Sequence, residues 1–347
     1  MYLKRIILVA SVIGVVILGI FSYFVYNAVL SPNTNFQEKE VTIYIPTGSN
    51  FNEVIHKISP YLSDIETFKR VAIQKKYAHN VKAGKYIIKR GSNNNDIVNT
   101  LRSKNVPIKL TFNNQDRLQD LAGRISQQIE ADSLSLLKSF LETSFLSENQ
   151  FSDKDAIAMY LPNTYEFFWN TSAEQFRDRM LKEYNRFWTE EKKLKAENQN
   201  LNPKQVNVLA SIVQKETAQV SERSRVAGVY LNRLKSNMLL QADPTVIFAI
   251  KEHSGNYDTI IRRVLNRDLE IDSPYNTYKY AGLPPAPIAM PDVSSIEAVL
   301  NPEKHDFFYF VADIEKPGFH KFARTYNQHL INSKAYHKWI NSQGIRR

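Results

Sequence analysis

The chain has 347 residues, 43% hydrophobic and 12% aromatic, with 45 Lys and Arg against 35 Asp and Glu for a formal charge of +10. Such a chain is long and apolar enough for two or more domains with their own cores, which excludes disorder over most of its length. The absence of cysteine excludes a disulfide framework, a thiolate zinc site and a cysteine nucleophile. The basic excess would suit an anionic partner, but it is scattered and accompanied by no RNP, zinc-finger or basic-helix pattern, so it reads as solvated surface and no nucleic acid is expected.

After Lys4 and Arg5 comes IILVASVIGVVILGIFSYFVYNAVL, and no charged side chain appears from Ile6 until Glu38. This run exceeds the roughly 20 residues that span a bilayer. A cleaved signal peptide would carry an apolar region of about 7 to 15 residues ending at a small-x-small site, whereas this run is longer and ends in bulky residues. Residues 1–30 are therefore expected to be a cytoplasmic tail and a transmembrane helix. With Lys4 and Arg5 held inside, the rest lies on the extracytoplasmic or periplasmic side of the cell (inner) membrane. Neither GxGxxG nor GxxxxGK[ST] occurs, and no cofactor is expected.

Residues 31–40, SPNTNFQEKE, read as a linker. VTIYIP then alternates like a strand, TGSN is a turn, FNEVIHKISPYL and DIETFKRVAIQKKY have helical spacing, AGKYIIKRGS gives a second strand, and NNNDIVNTLRS follows. This predicts a small α+β module over 41–105. VPIKLTFNNQDRLQDLAGRI repeats the order strand, turn, helix, too divergently to count as an internal repeat. Two helical stretches come next, residues 133–146 and 172–200, separated by MYLPNTYEFFWNTS, which reads as an aromatic loop turned at Pro162 and Asn163.

Asn202, Pro203 and Gln205 form a helix start: the Asn side chain caps, Pro fills the first position and Gln completes a capping box. Leu209, Ile212 and Val213 then share one face, and Glu216, seven, four and three residues later, continues it. A carboxyl on an apolar stripe is desolvated and its pKa is raised, which suits a general acid. The same position also fits a helix reaching solvent, or a Glu paired with Arg223 or Arg225. A further helix is expected from Ser221 as cap.

QADPT at 241–245 and SPYNTYKYAGLPPAPIAMP at 273–291 set aromatic rings beside amides and hydroxyls in proline-stiffened loops. That combination suits the apolar faces and hydroxyls of a sugar, and equally a packed connector. The candidates for substrate binding are Gln241, Asp243, Thr245, Tyr275, Asn276, Thr277, Tyr278, Gly282, Leu283 and Pro284. No HExxH or comparable metal spacing occurs among the seven His residues, and Ser211 lacks a GxSxG setting.

LASIVQKETAQVSERSRVAGVYLNRL, LQADPTVIFAI, SPYNTYKYAGLPPAPIAMP, and FFYFVAD followed by His320 and Phe322 resemble the YceG-like family in order and spacing. LPNTYEFFWNTS resembles that family's Pro-x-Thr-Tyr-x-Phe motif. The resemblance runs over nearly the whole chain. It implies an α+β fold with an N-terminal transmembrane helix, a small LysM-like α+β module at 41–105 and a larger α+β catalytic domain at 106–347.

The activity it implies is that of a membrane-anchored endolytic lytic transglycosylase. Such an enzyme cleaves the β-1,4 bond between N-acetylmuramic acid and N-acetylglucosamine in peptidoglycan, leaves a 1,6-anhydro end and limits glycan strand length. Peptidoglycan strands are then the partner; synthases are suggested by the family alone. The family's catalytic glutamate falls on Glu216. This sequence departs from the family in having Gln214 where Glu is common and Ala286 where Gly is usual. Two other readings remain: a two-carboxylate muramidase, with Glu222 or Asp243 as the second carboxylate, and a non-catalytic wall-binding scaffold.

Overall fold

The computed structural model describes residues 2–342. Its first helix, α1 (Tyr2–Leu30), is long and apolar enough to cross a membrane; its side chains are exposed along most of its length, and Val29 in its last turn packs partly buried against the core that follows. At 1.5 Å per residue it is about 43 Å long.

The remaining chain forms an α+β fold in two compact units. The first comprises residues 1–110 with 127–131 and 165–172; the second takes 111–126, 132–164 and everything from 173 onward.

In the first unit, β1 (Glu40–Ile45) pairs antiparallel with β2 (Gly84–Lys89), Ile43 facing Tyr86 across the ladder. The alternation read from VTIYIP puts Ile43 and Ile45 on the buried face. Against that face pack α2 (Phe51–Ile58), α3 (Ile65–Gln74) and α4 (Asn94–Ser103), which bury Val54, Ile58, Phe68, Val71, Ile97 and Leu101. Each such side chain contributes about 1.5–3 kcal/mol of transfer free energy.

All three helices start on polar caps: Asn50 in a capping box with Glu53, Asp64 accepting from the amides of Glu66 and Thr67, and Asn93 accepting from that of Asp96. Gly84 has φ +148°, and a Cβ there would lie 2.5 Å from the side chain of Asn105. That side chain's Oδ1 accepts from the Lys85 amide, so the position requires glycine.

Residues 31–40 are docked on this unit. The buried Asn33 side chain donates to Asp64 O and Asn94 Oδ1 and accepts from Asp64 N, and Asn94 in turn donates to Ala28 O in the last turns of α1. A polar composition reads as a linker; here the buried Asn33, together with Asn35 donating to Leu62 O and Thr34 Oγ1 accepting from the Gly91 amide, holds the segment in place.

The elements that follow are β3 (Pro107–Phe112), α5 (Leu118–Ser126), α6 (Ser133–Phe140), α7 (Thr143–Glu148), β4 (Asn163–Phe168), α8 (Ala173–Phe187), α9 (Glu190–Glu197), α10 (Pro203–Glu216), α11 (Arg223–Lys235), α12 (Asp243–Ser254), α13 (Val293–Leu300), the antiparallel hairpin β5 (Tyr309–Ala312) and β6 (His320–Ala323), and α14 (Tyr326–Ser342).

Three of these differ from the sequence expectation. The stretch MYLPNTYEFFWNTS contains β4, which pairs with β3. The helix expected over 133–146 breaks at Glu142, whose backbone is extended and whose carboxylate bonds Arg177. The helix expected over 172–200 breaks because Trp188 is buried and Thr189 caps a new helix through the Lys192 amide.

The helix that matters most for the site is α10. Its capping box is formed as the sequence reads: Asn202 Oδ1 accepts from Gln205 N and Gln205 Oε1 from Asn202 N, both at 2.9 Å. It packs against α9, α11, α12 and α13, and every residue from Val206 to Gln214 is buried. The expected apolar stripe is therefore part of a helix enclosed on all sides.

Candidate active site

Enclosure of α10 ends at Gln214: Lys215 is exposed, and after Glu216 Thr217 turns extended and closes the last helical bond to Val213 O. The Glu216 side chain is half-buried. Its Oε1 accepts a 2.5 Å hydrogen bond from the hydroxyl of Tyr230, on α11. Tyr230 is itself buried, its ring meeting Phe310 of β5 edge-on at 5.9 Å between centroids. Among the described residues the second carboxylate oxygen accepts no protein hydrogen bond.

Glu216 keeps a solvent face, but the protein packed around its carboxyl pushes its pKa up to about 7. Desolvation is the main cause; the Tyr230 hydroxyl opposes it, the negative charge of Asp243 adds to the rise, and Arg233 opposes it. Neither arginine that could have neutralised Glu216 does so. Arg223 binds both oxygens of Asp292, at 2.7 and 2.8 Å, and Arg225 binds Glu303 at 2.9 Å.

The candidate binding residues separate into three groups. Asp243 and Tyr278 belong with Glu216: the Tyr278 hydroxyl donates to Asp243 Oδ1 at 2.6 Å, and both groups act electrostatically within the Glu216 and Tyr230 cluster. Asp243 reaches solvent at the start of α12, yet desolvation of its carboxyl raises its pKa, with the Tyr278 bond opposing. Gln241 is exposed beside it, with φ +51°, its backbone N–H donating to Thr277 O and its side-chain Oε1 accepting from Arg233. Arg233 is otherwise spent on the carbonyls of Phe308, Leu239 and Leu240.

Thr245, Thr277, Asn276 and Tyr275 form the second group and present almost no surface. The Thr245 and Thr277 hydroxyls bond each other at 2.8 Å and tie the start of α12 to the loop. Asn276 donates to Leu269 O and Ile271 O and accepts from Tyr278 N, which aims the Tyr278 ring. Tyr275 packs on Phe248 at 4.6 Å between centroids.

Gly282, Leu283 and Pro284 line a separate cavity of about 580 Å³ with Leu201 and the cap Asn202 just before α10, Gln205 and Val208 of its first half, and Leu234 and Lys235 of α11. Glu216 does not line it. Eight residues, about 12 Å of helix, separate Val208 from Glu216.

Glu222 lies in a turn before α11, where Ser221 was expected as cap. No side-chain cap forms there. Glu222 is buried, with Oε1 accepting from His320 N at 2.8 Å and Oε2 meeting His320 Nδ1 at 2.7 Å. Gln214 donates through Nε2 to Met290 O and accepts at Oε1 from Asp292 N, and the Ser211 hydroxyl bridges Val208 O and Ile288 N. These side chains fasten α10 to the loop before α13. Among the described residues no group of three or more His, Asp or Glu side chains is placed to hold a metal ion.

Sequence reasoning missed Tyr230 and Arg233 as parts of this cluster. Tyr230 stands at an apolar helical position that reads as core, and only the pairing of α10 with α11 reveals its hydroxyl's target.

In this α+β protein one desolvated acid stands at the end of a largely buried helix, flanked by tyrosines and a second, exposed carboxyl, an arrangement chemically able to give and take a proton. The chain belongs to the YceG-like family, whose profile matches residues 43–335. It is 31% identical over 340 residues to a Bacillus subtilis protein named endolytic murein transglycosylase, covering 92% of this chain and 91% of that one. A Streptococcus pneumoniae protein of the same name is 29% identical over 332 residues; the match covers 85% of this chain and 58% of that longer relative. A crystal structure of a putative YceG-like protein from Listeria monocytogenes has a similar fold, with TM-score 0.55 and 28% identity over 84% of this chain and 98% of that one.

Proposed function

We propose that this chain cuts peptidoglycan strands from within, with Glu216 as both acid and base. As a member of its family the chain is an enzyme, a lytic transglycosylase. The observation that carries the residue assignment is the Glu216 carboxyl itself, desolvated so that it is substantially protonated near neutral pH and open on one oxygen. Protonated Glu216 gives its proton to the glycosidic oxygen between N-acetylmuramic acid and N-acetylglucosamine as the C1–O bond breaks. The resulting carboxylate takes the proton from the muramic acid C6 hydroxyl as O6 bonds to C1 and closes a 1,6-anhydro ring. The nucleophile is carried by the substrate, so no water is consumed and proximity does the work of a second catalytic carboxylate.

Asp243, Tyr278 and Gln241 are read as the groups that bind sugar beside Glu216; the cavity at Gly282, Leu283 and Pro284 holds a more distant part of the substrate. Thr245, Tyr275, Asn276 and Thr277 act through the shape of the loop. The α1 helix anchors the enzyme in the cell membrane with the rest outside, the module at 41–105 is LysM-like and holds glycan, and the activity limits strand length beside the synthases.

A hydrolytic alternative rests on one observation: Asp243 is the carboxylate whose charge Glu216 feels. Glu222 suits that role less, since both its oxygens are taken by His320. The test is turnover of purified glycan strands by Glu216→Gln, expected to fall by at least about 10²-fold with unchanged melting. Full activity in that variant would remove Glu216 from the mechanism.

A further inference from the structure

We propose that Tyr230 fixes which oxygen of Glu216 exchanges protons with the substrate: the phenol donates to Oε1 in both states of the carboxyl, so the transferred proton sits on Oε2. This deepens the reading of Glu216 as the acid and rests on it. A buried hydroxyl must find an acceptor for its proton. Tyr230 is 1% exposed, and among the described residues its hydroxyl meets one partner, Glu216 Oε1 at 2.5 Å. Were Glu216 to donate to Tyr230 instead, the phenol proton would be left buried without an acceptor, a state costing more than the bond gains. The arrangement is therefore one-way.

Its geometry is rigid. The Tyr230 ring is held edge-on by Phe310, and α11 is fastened by Arg233 to the carbonyls of Phe308 and Leu240. Oε1 is thereby fixed as the carbonyl oxygen of the protonated acid, and Oε2 carries the proton outward. In the first step the Oε2–H proton passes to the glycosidic oxygen as that oxygen leaves C1. In the second the C6 hydroxyl proton returns to Oε2 as O6 bonds to C1. The Tyr230 bond persists throughout and stabilises the carboxylate between the two steps. Tyr230 is a positioning residue.

The other groups facing Glu216 are Arg233 from α11, Asp243 from the start of α12 and Tyr278 from the loop; Lys215, next to it on α10, is engaged with Asp116. None of them bonds the carboxyl.

The test compares wild type, Tyr230→Phe and the full chain with 3-fluorotyrosine at 230, whose hydroxyl is the stronger donor. Tyr230→Phe is expected to lower kcat by about tenfold with KM little changed. Loss of the bond favours the protonated acid, so the alkaline limb of kcat/KM moves to higher pH; fluorotyrosine moves it lower. Infrared difference spectra against Glu216→Gln report the protonated carboxyl without reference to turnover. Its C=O stretch is expected to rise in Tyr230→Phe, because the donor on the carbonyl oxygen is gone. An unmoved stretch with unmoved pH limbs would overturn the assignment of Oε2 while leaving Glu216 as the acid. Full activity in Glu216→Gln would instead overturn the underlying reading.

Discussion

Replacing Gln214 by Glu changes one NH2 to O inside the motif that carries the candidate acid, at a site where the amide uses both its ends. Nε2 donates to Met290 O at 3.1 Å and Oε1 accepts from the Asp292 amide. The side chain is 8% exposed, so water cannot take over either role. An ionised Glu keeps the second bond and turns the first into two acceptors in contact. Losing a buried bond and leaving Met290 O unpaired costs about 1–3 kcal/mol, which in a unit of this size lowers Tm by roughly 2–4 °C per kcal/mol.

A protonated Glu restores a donor, so its folded pKa should lie above the unfolded value of about 4.3. The stability of the variant should then match wild type below about pH 4 and fall as pH rises through the folded pKa. Calorimetry or circular dichroism melts of Gln214→Glu between pH 4 and 8 measure this. Equal melting temperatures for variant and wild type across that range would refute the argument that the amide donor matters.

Asp243→Asn removes the negative charge that favours protonated Glu216. The alkaline limb of kcat/KM should shift to lower pH, opposite to Tyr230→Phe; a shift upward would contradict the electrostatic account. Arg223→Met strips the cation from Asp292, a third exposed, and should cost about 1–3 kcal/mol at pH 7. Although burial alone would raise it, the bonds from Arg223 and the Ser295 amide hold the Asp292 pKa below the ordinary carboxylate range. Wild type should therefore keep this stabilisation above about pH 4 and lose it as pH falls through the depressed value, whereas the variant's melts should lack much of that acid-side loss. Asn33→Ala removes three bonds that dock residues 31–40 and should destabilise the first unit by about 2–3 kcal/mol. Hydrogen exchange at the Asp64 amide should rise with it; unchanged protection would show the segment to be a tether after all.

Local signals were the legible part of the fold. Asn202, Pro203 and Gln205 announce the start of α10 because capping is decided within four residues. The β1 and β2 strands and the capped helices of the first unit were visible for the same reason. What depends on distant partners was not. Periodicity gave α10 one apolar face, but Val206 to Gln214 are covered on every side because four other helices surround them. Thr189 carries the capping chemistry that breaks a helix, yet helical spacing on both sides of it reads as one helix over 172–200.

The candidate site was legible in outline and misjudged in grouping. Glu216 stood out as a carboxyl on an apolar stripe. The loop 273–291 reads as a sugar-binding surface or as a packed connector, and its residues divide between such places: Tyr278 joins Asp243, Asn276 and Thr277 turn inward, and Gly282 to Pro284 line the cavity along the first half of α10. A contiguous motif cannot show that its residues serve three different places. Tyr230 is fourteen residues from Glu216, beyond any helical spacing that would couple them.

Mass spectrometry of the cut ends, with purified glycan strands incubated with wild type and with Glu216→Gln, tests the central claim most directly. Wild type should produce 1,6-anhydro-muramic acid ends, lighter by one water than reducing ends, and Glu216→Gln should produce neither. Reducing muramic acid ends from wild type would contradict the lytic mechanism, and anhydro ends at the wild-type rate from Glu216→Gln would contradict the assignment of the acid.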